Sequence, residues 1–130
     1  MRNLFTLLIA VVVVAAGGYA LCAAAGWNPR PAAMATAAAA ALAAGAAGLV
    51  PLLLSRGAGQ AAVSQAGLVG TVVHLFGCLA GAMVLLFVLK AGTPAMYWVL
   101  AFYWATLMAL VLGLTRAVRA APADGAAPRQ

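Results

Sequence analysis

Apolar residues run almost without interruption through four stretches of the chain, about 4–25, 32–54, 66–89 and 95–118, and polar or awkward residues gather between them. A helix rises about 1.5 Å per residue, so about 20 mostly apolar residues cross the hydrocarbon of a bilayer. Each stretch meets that length, which predicts an all-α integral membrane protein, a four-helix transmembrane bundle occupying residues 1–119. The connections read GWNPRP at 26–31, SRGAGQAAVSQ at 55–65 and KAGTP at 90–94. Pro31 and Pro94 stand just ahead of their helices, where a missing backbone N–H costs least. The Ala- and Pro-rich stretch 120–130 has no apolar face and is expected to be a mobile cytoplasmic tail.

Composition narrows the chemistry. Of the 130 residues 68% are hydrophobic and 6% charged, with a mean hydropathy of +1.13, whereas soluble domains carry roughly a quarter charged residues. The net charge of +6 tempts a nucleic-acid reading, but the seven Lys and Arg lie singly between apolar runs. Phosphate-backbone binding needs clustered cations, so no nucleic acid is expected. Asp124 is the only carboxylate side chain, Glu is absent and His74 is the only histidine. One chain therefore cannot assemble paired carboxylates, a catalytic triad or a multi-histidine metal site. The expectation is a non-enzyme without cofactor or metal.

With four spans, both termini fall on one side. Arg2, Arg56, Arg116, Arg119 and Arg129 lie on that side, and Arg30 and Lys90 on the other. The positive-inside rule then places both ends in the cytoplasm, across a bacterial inner (plasma) membrane. Trp27, Tyr97 and Trp98 become outer-interface aromatics, and Arg116 with Arg119 a cytoplasmic anchor able to reach anionic headgroups. The start MRN followed by an apolar run and Ala23-Ala24-Ala25 also fits a signal peptide. The run of about 22 apolar residues exceeds the roughly 7–15 of a signal core, so a retained first helix is expected.

Small residues mark where helices can approach. Ala37, Ala41 and Gly45 form a ladder in the second span, although that span is so alanine-rich that any register shows small pairs. In the third, Gly77 and Gly81 make a GxxxG, and Gly70, His74, Gly77 and Gly81 fall within about 60° on a helical wheel. Lipid is as apolar as a side chain, so close backbone approach holds helices together there. The stripe is expected to be a seam within the monomer, with a homo-oligomer or partner interface as the alternative. His74 on that stripe should face protein, hydrogen-bonded to Tyr103 or Thr106 at similar depth on the fourth span. Cys22 and Cys78 are offset by about 10 Å along the bundle, beyond disulfide reach.

The stretches QAGLVGTVVHLFGCLAGAMVLL (65–86) and PAMYWVLAFYWATLMALVLGLTRAVR (94–119) resemble the third and fourth spans of the bacterial ATP synthase protein I (ATP synthase I chain) family. The likeness covers about half the chain: hydropathy, the aromatics of the fourth span and its basic exit. It implies a non-catalytic accessory role, assisting assembly of the c ring among the ATP synthase membrane subunits. Family members commonly carry charged residues in or near these spans; here only His74 is embedded, so no metal site carries over. Residues alone leave a small oligomeric transporter or channel, or a holin-like pore former, as alternatives. Proton-coupled exporters of this size need an embedded acid, which no span here contains.

Overall fold

A computed structural model describes residues 2–55 and 57–122. Every described element is helical: α1 (Arg2–Ala24), α2 (Pro31–Leu54), α3 (Gln60–Met83) continued by a π-helical turn (Val84–Val88), and α4 (Thr93–Ala120). All four are long and apolar enough to cross a membrane. Arg56, Asp124 and Arg129, with most of the expected tail, lie outside the described residues.

Local chemistry sets the ends. α1 closes in a Schellman motif, with Trp27 N–H donating to Cys22 O at 2.8 Å and Gly26 N–H to Ala23 O at 3.2 Å. Gly26 takes φ 70° there, a left-handed value that glycine adopts freely. Pro31 opens α2 and Pro94 lies in the first turn of α4, as their missing N–H predicts. α3 begins at Gln60, six residues ahead of the apolar stretch that starts at 66. Gln60, Ser64 and Gln65 are polar but fit a helix, and Val63 among them is buried. Hydropathy marks where lipid starts, not where a helix starts, so the expected connection 55–65 is shorter than the polar stretch suggests. α4 likewise carries on to Ala120, at the first residue of the expected tail.

α2 and α4 touch along the middle of the bundle, with α1 and α3 on opposite flanks and the most extensive interface between α2 and α3. A Cβ built on Gly113 would lie 3.5 Å from the Asn3 side chain, so the start of α1 and the end of α4 share one end of the bundle. Two apolar clusters fill the interior. Leu7, Leu49, Leu52, Val63, Ala109 and Leu110 form one near that end. Val11, Ala37, Ala41, Leu85, Trp98 and Phe102 form the other. Between them lies a polar layer of His74 and Thr106, both fully buried. The outer faces of α1 and α3, including Phe5, Val12, Leu68, Val72, Phe76 and Leu79, are exposed apolar surface suited to lipid.

Candidate functional site

The candidate site is the polar layer and the helix crossing that encloses it. Gly70 on α3 meets Gly48 on α2 so closely that a Cβ on Gly48 would come within 2.8 Å of the Gly70 carbonyl oxygen. A Cβ on Gly70 would run into the Gly48 carbonyl in turn. About two and three turns further along α3, a Cβ on Gly77 would fall 2.8 Å from Ala44 Cβ and one on Gly81 3.0 Å from Ala40 Cβ. Gly70, Gly77 and Gly81 thus all turn inward, against a face of α2 made of Ala40, Ala44 and Gly48.

That face is one residue away from the ladder read in the sequence. Ala37, Ala41 and Gly45 are buried too, but they serve α1 and α4: a Cβ on Gly45 would sit 2.8 Å from Leu7 Cδ1, and Ala37 and Ala41 join the cluster of Val11, Trp98 and Phe102. α2 is small on several faces because it is wedged between three helices. Gly67, unremarked in the sequence, is buried on the same side of α3, where a Cβ would collide with Leu114.

His74 projects from this seam toward α4. Its Nε2 lies 2.7 Å from Thr106 Oγ1, and its ring stacks on Tyr103 with centroids 5.4 Å apart and planes 11° from parallel. Of the two partners anticipated by depth, Thr106 makes the hydrogen bond and Tyr103 supplies a ring face. Thr106 Oγ1 also lies 2.8 Å from Phe102 O, one turn back on its own helix. A hydroxyl has one proton. If Thr106 gives it to Phe102 O, it accepts Nε2–H from a neutral imidazole, and only the Nδ1 lone pair is left unmatched. The reverse assignment leaves an orphan N–H, the rarer and costlier kind of buried defect. The first arrangement is therefore the assigned one. Nδ1 is the one buried side-chain nitrogen or oxygen without a partner among the described residues.

Cys78, one turn along α3, brings Sγ to 3.5 Å from His74 Nε2. Cys22 and Cys78 are both free. No cluster of three His, Cys, Asp or Glu side chains forms among the described residues.

The aromatics of α4 divide by role. Trp98 differs from the expected interface anchor: it is buried, its ring fills the space beside Gly18 of α1, and its indole N–H donates to Pro29 O at 3.1 Å. It ties α4 to the α1–α2 connection. Trp27 and Tyr97 are exposed at the same end. Trp104, near the middle of α4, is 57% exposed and meets Tyr103 edge-on at 6.2 Å. Its indole N–H makes no hydrogen bond among the described residues. Arg116 and Arg119 are exposed at the other end of α4.

Comparison with known proteins brings no match to this chain from family models, curated proteins or solved structures.

Proposed function

We propose that this chain is a non-catalytic accessory protein of a bacterial inner membrane, with both ends in the cytoplasm, and that it assists assembly of the ATP synthase c ring by direct helix contact. The observation that carries the contact reading is Trp104. An indole N–H at mid-depth has no water and no lipid carbonyl within reach, so an outward-facing one without an internal acceptor is costly in bare hydrocarbon. A neighbouring helix offering a polar atom or a close aromatic contact removes that cost. The partner's identity rests on the likeness of 65–86 and 94–119 to the ATP synthase I chain, and the orientation on five basic residues against two.

Transport is the less favoured reading. His74 is sealed between α2, α3 and α4 at 0% exposure, and no acid lies in any span to share a proton with it. The test is a photo-crosslinking amino acid at position 104 in otherwise intact cells. Adducts with the c subunit support the reading. Adducts confined to a second copy of the chain would make the face a homo-oligomer contact and overturn it.

A further inference from the structure

We propose that the cleft between the start of α2 and the end of α3 holds one anionic phospholipid, with its phosphate between Arg30 and Lys90 and an acyl chain against the apolar wall. The cleft is about 520 Å³ and is lined by Arg30, Pro31, Thr36, Leu89 and Ala91 among others, with Lys90 standing between the last two. Its wall is greasy and carries one cation, Arg30, which matches an amphiphile with a negative head.

Charge balance points to an outside anion. Arg30 and Lys90 are the only charged residues in the two connections at this end of the bundle. Neither has an ion pair among the described residues. The chain's one acid, Asp124, follows α4, whose C-terminal end lies at the opposite end of the bundle. Two separate loops therefore bring uncompensated cations to this end of the bundle, Arg30 in the lining of the cleft and Lys90 between two residues that line it, on the side where the positive-inside rule disfavours them. An anionic headgroup at the interface supplies the missing charge. The first turn of α2 adds to this, since its N–H groups have no side-chain cap and favour negative charge. Free phosphate fits less well, because the rest of the cleft is apolar.

The backbone supplies a clean test. Arg30 and Lys90 sit at φ 45° and 48°, a left-handed conformation that glycine adopts without strain. Arg30→Gly and Lys90→Gly thus remove charge while relaxing the chain. Protein in mild detergent is offered equal phosphatidylglycerol and phosphatidylethanolamine, and retained lipid is counted by native mass spectrometry. The expected result is one phosphatidylglycerol held in preference, with the preference falling about fivefold for each cation removed. Arg56→Gln, in the connection between α2 and α3, should leave it unchanged, and the melting temperature in lipid-free detergent should not fall in the glycine variants. Should the double variant fail to fold, Lys90→Gln alone reads the same preference. Equal retention by wild type and variants, an equal loss in Arg56→Gln, or displacement of the lipid by inorganic phosphate would overturn the proposal.

Discussion

Gly48 and Gly70 meet backbone to backbone, each occupying with its carbonyl the place where the other would carry a Cβ. No side chain can yield at such a contact, so its tolerance differs in kind from that of the glycines around it. Gly70→Ala should destabilise the bundle by about 1–3 kcal/mol through forced separation of α2 and α3. Gly81→Ala, whose Cβ would meet only Ala40 Cβ at 3.0 Å, should cost less. Gly17→Ala, with nothing within 4 Å, should be neutral or gain up to about 1 kcal/mol from helix propensity. Thermal unfolding in detergent ranks the three, and an equal loss in all would contradict a specific crossing.

The His74–Thr106 bond makes a second graded series. Thr106→Val keeps the shape but leaves a buried imidazole N–H without its acceptor, at a cost of about 1–3 kcal/mol. Thr106→Ser keeps the hydroxyl and should retain most of the stability. In a double-mutant cycle with His74→Gln, Thr106→Val should cost differently in the two backgrounds, since the residues act as a pair. Additive losses would mean that the 2.7 Å contact contributes nothing specific.

Trp98→Phe removes the indole N–H that reaches Pro29 O while preserving most of the ring's burial. The expected loss is about 0.5–1.5 kcal/mol, with faster hydrogen exchange confined to the α1–α2 connection. Unchanged exchange there would show that the tie does not hold the loop.

Much of this architecture was legible in the sequence, for reasons visible residue by residue. Four spans follow from hydropathy alone, and the inward stripe of Gly70, His74, Gly77 and Gly81 follows from helical periodicity. The start of α3 was not legible, because Gln60 and Ser64 mark the edge of lipid and say nothing about where hydrogen bonding begins. Neither was the register of α2, since alanine on every face hides which row, Ala37/Ala41/Gly45 or Ala40/Ala44/Gly48, faces α3. Depth brought Thr106 and Tyr103 equally near His74, and only rotation about α4 separates the bonding partner from the stacking one. The seat of Trp98 depends on Gly18 of a different helix, and the cationic cleft on two left-handed residues in separate loops. These are long-range facts that no local pattern encodes.

Orientation has a direct check. In a variant lacking Cys22 and Cys78, a cysteine at Trp27 should react with a membrane-impermeant maleimide added to intact cells. A cysteine at Ser55 should react only after the membrane is opened. The opposite pattern would reverse the positive-inside assignment and take the c-ring proposal with it.

The central claim is that the chain acts by contact with the assembling c ring and not as a conduit through His74. Its most direct measurement is the amount of intact c ring in membranes of cells that lack this protein. The account predicts that the amount falls, and that both the wild-type chain and His74→Gln, which keeps hydrogen-bonding capacity without an exchangeable imidazole proton, restore most of it. An unchanged level of c ring in the deleted cells would contradict the account.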